Sequence, residues 1–217
     1  MGTDFVGIDL GADAITCVAL DNSGALRDMR VFAGSEPEAV AEWAVGIGRV
    51  IAIDAPDAPS TRPHLADTEP LSDKFRPARC AEIALAREHR YWVSWVTPAY
   101  PPYKQWMQVG FNLFGAMRAL GADPLEVYPH SIFLALSGTK QLPSKQRWEG
   151  RAARIALLKS RGVVVPFAPA LSHDALDAAA AAIVARDAAF GEAIRVTCGH
   201  DASALWLPNA PADAGVR

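Results

Sequence analysis

Two apolar segments of this chain each end near a single aspartate, and this pair most constrains what the chain can fold into. Asp9 follows Phe5-Val6-Gly7-Ile8, and Asp54 follows Val50-Ile51-Ala52-Ile53. Runs rich in β-branched and aromatic residues predict β-strands. An ionised carboxylate in an apolar strand is unfavourable unless it is paired or bound to a cation. Two such strands lying side by side therefore predict a site for a divalent metal ion.

A third acidic segment, His173 to Asp177, opens an alanine-rich stretch that predicts a long helix. Residues three positions apart lie on one face of a helix, so Asp174 and Asp177 are expected to point at the same site. The alanines at 178–182 leave the helix without bulk and allow it to approach a sheet closely. Together with the two strand aspartates, these carboxylates predict a site for two metal ions.

The first quarter of the chain predicts three antiparallel strands, a helix and a fourth strand. Apolar runs separated by turn residues place the first three strands at 5–10, 15–20 and 25–32. Helical spacing of apolar residues follows at 36–45. A helix that leads into the wholly apolar strand of Asp54 implies a parallel neighbour, and the right-handed crossover rule places that strand beside the first one.

The remainder alternates between loops, helices and short strands. Five prolines between positions 56 and 77 predict an inserted loop at 57–77, and the tail from about 208 is expected to be frayed. Helices are expected at 81–90 and 104–120. Further strands are expected at these positions: 93–97, 125–129, 195–198 and 205–207.

The composition is that of an ordinary globular protein, with 51% hydrophobic and 21% charged residues. The length suits a single domain, residues 1–217. The absence of a membrane-length apolar run and of a signal peptide predicts a cytoplasmic protein with no membrane partner. Cys17, Cys80 and Cys198 are widely separated, which predicts reduced thiols. The net charge of −3 provides no overall attraction to nucleic acid, so local basic residues must supply it.

The order of these acids and strands resembles the ribonuclease H-like fold. The resemblance implies an α/β fold with a mixed five-stranded sheet, an antiparallel meander plus parallel strands, flanked by helices. It also implies that Asp9, Asp54 and either Asp174 or Asp177 are catalytic and bind Mg²⁺ or Mn²⁺. The start of the last helix is similar to that of bacterial Holliday-junction resolvases. No acid in the first helix matches the second catalytic glutamate of ribonuclease H well, and Glu42 is only a remote candidate.

Four further segments resemble the family called domain of unknown function 429, over nearly the whole chain. They are Trp106 to Gly110, Glu126 to Pro129, the region of Gly150-Arg151, and Leu205 to Pro208. Members of that family are described as predicted nucleases of ribonuclease H-like fold. The resemblance therefore implies a metal-dependent nuclease that hydrolyses phosphodiester bonds by two-metal chemistry.

Other polar residues are candidates for catalysis or substrate binding. Glu126 could act beside the metal, or it could pair with an arginine such as Arg79 or Arg151. His173 could move a proton or hold the attacking water, or it could simply lie at the start of its helix. Basic side chains are expected to contact the substrate backbone, although a solvated helix face looks the same in sequence. They are Arg79, Lys145, Arg147, Arg151 and Arg154.

Six aromatic residues between positions 91 and 106 allow two interpretations. They could stack on unpaired bases, or they could lie in the core. We expect burial for at least half of them, with Tyr100 and Tyr103 as the best surface candidates.

Three functions remain open from the sequence. The first is the metal-dependent nuclease acting on nucleic acid. The second, favoured by the acidic net charge, is a catalytically inactive ribonuclease H-like binding or scaffold protein. The third is an actin-like nucleotide-binding protein, since the string Gly7 to Gly11 also resembles the phosphate-binding hairpin of that superfamily. Those enzymes need two domains, for which 217 residues leave little room. A homodimer is compatible with the sequence.

Overall fold

A computed structural model describes residues 2–209 apart from residues 3, 12, 35, 62–71 and 165–171. The middle of the predicted proline-rich loop at 57–77 and nearly all of the predicted frayed tail lie outside these residues. The last part of the loop contains one short 3-10 turn, Asp73–Phe75.

Three antiparallel strands open the fold, as the sequence predicts: β1 (Asp4–Leu10), β2 (Ala14–Leu20) and β3 (Leu26–Ala33). The turn between β2 and β3 is stabilised by the Asp21 carboxylate, which accepts hydrogen bonds from the N–H groups of Ser23 and Ala25. Gly24 has a φ of +87° in this turn, a conformation that residues with a Cβ rarely adopt.

A helix and two parallel strands complete the sheet. Helix α1 (Pro37–Ile47) crosses over to β4 (Gly48–Asp54), which lies parallel to β1. The short strand β5 (Leu125–Glu126) pairs in parallel with β4. The resulting five-stranded mixed sheet has the order β3-β2-β1-β4-β5. The predicted α/β class and the ribonuclease H-like arrangement of the sheet are confirmed.

The described residues form five more α-helices: α2 (Cys80–Arg87), α3 (Gln105–Ala119), α4 (Pro129–Ser137), α5 (Trp148–Ser160) and α6 (His173–Ala189). Proline 129, expected to end a strand, instead begins α4, where its fixed φ and missing N–H suit the first turn. Within the described ranges, no helix combines the length and the apolar character needed to cross a bilayer.

Helices cover both faces of the sheet. Val6, Ile8 and Ile53 pack against α1 and α3 on one face, while Phe5 and Ala52 pack against α6 on the other. A Cβ added at Gly7 would lie 1.9 Å from the carbonyl oxygen of Ala178. Helix α6 therefore rests directly on the backbone of β1, and its first turns reach the carboxyl ends of β1 and β4.

The expected strand at 93–97 is wrong, because this segment is irregular in the structure. Val93 and Thr97 are buried, as strand residues would be, but their backbone groups bond to side chains instead of to a neighbouring strand. The carbonyl of Val93 accepts from Lys74 in the 3-10 turn, and the N–H of Thr97 donates to Glu82 of α2. The terminal strands β6 (Ile194–Val196) and β7 (Leu205–Leu207) pair with each other in a separate two-stranded sheet.

The prediction of reduced thiols is wrong for two of the three cysteines. A disulfide joins Cys80, the first residue of α2, to Cys198, which follows β6, with Cα atoms 5.3 Å apart. These cysteines are 118 positions apart, and only the packing of the β6–β7 hairpin on α2 brings them together. Cys17 is a free cysteine buried in β2.

Candidate active site

The two strand aspartates meet at the carboxyl ends of neighbouring strands. Asp9 on β1 is the register partner of Asp54 on β4, and register partners project their side chains from the same face of a sheet. Asp9 is only 4% exposed. Both residues line a cavity of about 350 Å³, which we call the acidic cavity.

Helix α6 brings two more carboxylates to the same place. The helix begins after Ser172, whose side chain accepts a hydrogen bond from the N–H of Ala175 at 3.1 Å. Asp174, in the first turn, lines the acidic cavity with Asp9 and Asp54. Asp177 is buried one turn later and lines an adjoining cavity of about 380 Å³, which we call the side cavity; Asp54 lines both. We call these four aspartates the acid cluster.

The carboxyl groups of the acid cluster oppose one another's ionisation. Burial, together with the charges of the other three aspartates, holds the pKa of Asp9 well above its ordinary value. Burial and the charge of Asp177 raise the pKa of Asp54 to about 7, although a hydrogen bond with Asp9 acts in the opposite direction. Crowded carboxylates of this kind are stabilised by a proton or by a bound cation.

One cationic side chain, Lys145, already lies at the acid cluster. Its Nζ is 2.5 Å from Oδ2 of Asp177, and the residue lines both cavities. Burial alone would lower the pKa of Lys145, but the charges of Asp177, Asp9 and Asp54 outweigh it and raise the pKa. Of the basic residues predicted to bind substrate, Lys145 is therefore the one that forms a described ion pair with the acid cluster.

Arg154 positions the segment that carries Lys145, and its predicted contact with substrate stays a prediction. It is 3% exposed, and its Nη1 donates hydrogen bonds to the carbonyl oxygens of Pro143 and Gly150. These bonds hold the loop before α5 in place. Its Nε lies buried without a hydrogen-bond partner among the described residues, and Arg154 lines the side cavity.

Arg79 makes its observed bonds within the protein, and its predicted contact with substrate stays a prediction. Its guanidinium donates to both carboxylate oxygens of Glu126 and to Oε1 of Glu82. All three residues are buried. Of the two alternatives for Glu126, pairing with Arg79 is the one observed, and Glu126 also accepts a hydrogen bond from the N–H of Asp57. Both of its carboxylate oxygens therefore accept hydrogen bonds from the protein.

The other sequence candidates lie at the margin of the site or away from it. His173 is half-buried, with Nδ1 2.6 Å from Oδ1 of Asp174. Arg147 and Arg151 are not among the described residues that line either cavity. Glu42 is exposed on α1, which covers the opposite face of the sheet from α6, and so it takes no part in the site.

The donor set of the acid cluster fits a hard divalent cation. Its ligands would be carboxylate oxygens, which suit Mg²⁺ and Mn²⁺ better than softer metals. As the described residues stand, no three His, Cys, Asp or Glu side chains form a metal-ligand arrangement. Lys145 instead lies against Asp177 in the structure.

Sequence reasoning missed Glu82, Thr97 and Tyr128, which line the acidic cavity. Glu82 accepts hydrogen bonds from the N–H of Thr97 at 2.9 Å and from its hydroxyl at 2.7 Å. The one available signal was the three-residue spacing from Arg79 to Glu82, which is that of a capping box, and the N–H of Arg79 does donate to Glu82.

Of the six aromatic residues between positions 91 and 106, Tyr100 is exposed as predicted, whereas the expected burial of at least half of them is wrong, because three are exposed and three are only partly buried. Tyr103 packs edge-on against Phe111 with ring centroids 5.4 Å apart. Tyr100 is exposed, but it is not among the described residues lining the cavities. Trp92 and Trp95 are exposed and do line them.

Comparison with known proteins identifies a matching family and two similar solved structures. The family model described as "Protein of unknown function (DUF429)" matches residues 7–202. Two solved structures from Thermus thermophilus are similar at 15% identity, both covering 86% of this chain. One is RuvC in complex with Holliday junction substrate, of which 94% is covered with a TM-score of 0.45. The other is the RuvC structure, of which 95% is covered with a TM-score of 0.47. No curated protein matches the sequence significantly.

Proposed function

Because the chain belongs to the DUF429 family of proteins of unknown function, and because four carboxylates surround the ends of two of its central strands, we propose that it is a metal-dependent nuclease. The observation that carries the proposal is the register pairing of Asp9 with Asp54 beneath the first turns of α6. Burial and mutual repulsion make it unfavourable for these four carboxyl groups to ionise together. A bound cation would offset that cost, which is why we infer that the site binds one.

Asp9, Asp54, Asp174 and Asp177 would hold two Mg²⁺ or Mn²⁺ ions. When bound, such ions supply an activated water and stabilise the oxygen that leaves in phosphodiester hydrolysis. The acidic cavity is open enough to admit a phosphate beside Asp9 and Asp54. Lys145, which lines that cavity, would position the scissile phosphate once a cation takes over the charge of Asp177.

The remaining sequence candidates have supporting roles in this proposal. His173, in contact with Asp174, would hold or relay a proton at the margin of the site. Arg147 and Arg151 would contact phosphates of the nucleic acid farther from the cavity. The Arg79–Glu126 pair would keep the wall of the cavity in shape without touching substrate.

The test is a cleavage assay with Mn²⁺ on single-stranded, duplex, hybrid and branched nucleic acids. Cleavage by the wild type that is lost in Asp9→Asn and Asp54→Asn would support the proposal. Asp123→Asn is the matched control, because the Asp123 side chain is 93% exposed and lies outside both cavity walls. Equal rates in all four proteins would rule out catalysis by the acid cluster.

One observation favours a second candidate function. The Lys145 ammonium lies against Asp177, as it would in a protein that uses an internal cation in place of a metal. In that case the chain would be a catalytically inactive ribonuclease H-like binding protein. Calorimetric titration with Mn²⁺ separates the two: binding that is abolished in Asp54→Asn favours the nuclease, and no binding in the wild type favours the inactive protein.

We also propose the cytoplasmic location expected from the sequence, although the Cys80–Cys198 disulfide is evidence against it, because disulfides are rare in the reducing cytoplasm. Fractionation of cells that express the tagged full chain should recover it with cytoplasmic markers. Recovery with secreted or envelope proteins would contradict the proposal.

A further inference from the structure

Two tryptophans are exposed at the edge of the candidate site. Trp92 is 64% exposed and Trp95 is 58% exposed. Both line the side cavity together with Asp54, Lys145 and Asp177, and Trp95 lines the acidic cavity as well. Large exposed aromatic side chains beside a polar cavity are unusual on a protein surface, and they indicate a binding surface.

The backbone that carries these tryptophans is fixed, although it has no regular secondary structure. Val93 is buried in a core cluster formed by α2 and the β6–β7 hairpin. Its carbonyl accepts a hydrogen bond from Nζ of Lys74 at 2.6 Å. The N–H of Ser94 donates to the hydroxyl of Tyr128 at 3.1 Å. The indole rings are therefore presented by a preorganised segment, which lowers the entropy lost when a ligand binds.

The ammonium group of a lysine lies over one face of each indole ring. Nζ of Lys74 lies 4.0 Å from the ring centroid of Trp92, and Nζ of Lys104 lies 4.9 Å from that of Trp95. An aromatic ring with a neighbouring ammonium group offers a flat face for a base and a positive charge for the adjoining phosphate.

The side cavity supplies a further group that suits a phosphate. Nε of the buried Arg154 has no hydrogen-bond acceptor among the described residues. A buried donor without an acceptor is uncommon and is explained when a ligand provides the missing oxygen. Arg154 and Lys145 both line the side cavity, so its wall combines positive charge with the two indole rings.

We propose that Trp92 and Trp95 stack against unpaired bases of a nucleic acid strand that passes through the side cavity to the acid cluster. The phosphates of that strand lie near Lys74 and Lys104, and the backbone reaches Lys145 beside Asp54. The bases must be unpaired because in a duplex their faces are already stacked on neighbouring bases. The inference rests on the proposed nuclease function and narrows its substrate to nucleic acid with a single-stranded segment at the site.

An apolar protein segment would suit this surface less well. Such a partner would have to bury Lys74 and Lys104 on the ring faces without giving them a counter-charge. A strand of nucleic acid provides a phosphate for each base that it stacks.

The test is equilibrium binding of a fluorescently labelled polythymidine strand to the full chain in EDTA, so that metal-dependent cleavage does not interfere. We expect Trp92→Ala and Trp95→Ala each to weaken binding by about tenfold, the effect of losing one stacked base. Trp95→Phe should keep most of the affinity because it keeps an aromatic face. Trp148→Ala is the matched control, since Trp148 is 70% exposed on α5 and is outside the described cavity walls.

Duplex DNA is the second ligand in the same experiment. The inference predicts weaker binding of the duplex than of the single strand, and equal duplex affinity for the wild type and the tryptophan variants. Unchanged single-strand affinity in both alanine variants would overturn the inference, as would a loss of the same size for duplex and single strand. Because no cleavage is measured, these results are independent of the Asp9→Asn assay, and either proposal can fail while the other stands.

Discussion

Asp9 and Asp54 are register partners at the carboxyl ends of parallel neighbouring strands, and both line the acidic cavity. Burial and the charge of Asp177 raise the pKa of Asp54 to about 7. Without a bound cation, the site therefore retains a proton at a pH where isolated aspartates have lost theirs.

The first prediction concerns the pH dependence of stability in EDTA. The pKa of Asp54 is about 7 in the folded protein against 3.8 for an ordinary aspartate. Between these values the folded protein binds a proton that the unfolded chain releases, so the free energy of unfolding decreases as the pH rises from about 4 to about 7. Urea unfolding across this range measures the slope. The slope should be shallower in Asp54→Asn, and an identical slope in the two proteins would contradict the prediction.

The second prediction is that Asp9→Asn stabilises the protein in EDTA at a pH above the raised pKa of Asp54. The amide removes one buried negative charge that repels the other three aspartates. We expect a gain of about 1 kcal/mol, which corresponds to roughly 2–4 °C in Tm for a chain of this size. Calorimetry measures the shift, with Asp123→Asn as the control that should not change it. Destabilisation by Asp9→Asn would show that the carboxylate is satisfied by the protein alone.

The third prediction concerns Lys145, the cation that the chain itself provides. Lys145→Met should lower the Tm in EDTA, because the buried Asp177 loses the cation that lies 2.5 Å from its Oδ2. The Lys145 side chain is 42% exposed, so the loss should be about 1 kcal/mol rather than that of a fully buried pair. Mn²⁺ should restore part of the stability. Lys159→Met, at an exposed position of α5, is the control, and equal Tm values for the two variants would refute the prediction.

The fourth prediction separates the structural role of Arg79 from a role in substrate binding. Arg79→Met leaves Glu82 and Glu126 buried without their cation, which should cost about 3–5 kcal/mol of stability. Adding Glu126→Gln should recover part of the loss, because one unpaired charge is removed. Urea unfolding of the single and double variants gives the coupling between the two sites. A stable Arg79→Met protein with weakened nucleic acid binding would instead favour the original prediction of substrate contact.

The positions of the strand aspartates could be predicted because they depend on local pattern and on one topological rule. The apolar runs define β1 and β4, and the right-handed crossover through α1 makes the strands parallel neighbours. The alanine run of α6 and Gly7 then determine how closely the helix approaches. Each of these features depends on a short stretch of sequence and can therefore be predicted from it.

The contacts that could not be predicted join residues that are far apart in the chain. Several of these residues lie in segments without regular secondary structure. Arg79 pairs with Glu126 across 47 positions, and Lys145 meets Asp177 across 32. The exposure of Trp92 and Trp95 beside the cavities depends on how the segment 92–97 is held by α2 and Tyr128. No periodic pattern encodes such contacts, because they depend on side-chain packing after the sheet has formed.

The most direct test of the central claim is the anomalous difference density of crystals of the full chain soaked in Mn²⁺. The account predicts a strong peak between the carboxyl groups of Asp9 and Asp54, with Lys145 displaced from Asp177, and no such peak in crystals of Asp54→Asn. Density at saturating Mn²⁺ that shows no ion at these carboxylates, with Lys145 still bonded to Asp177, would contradict it.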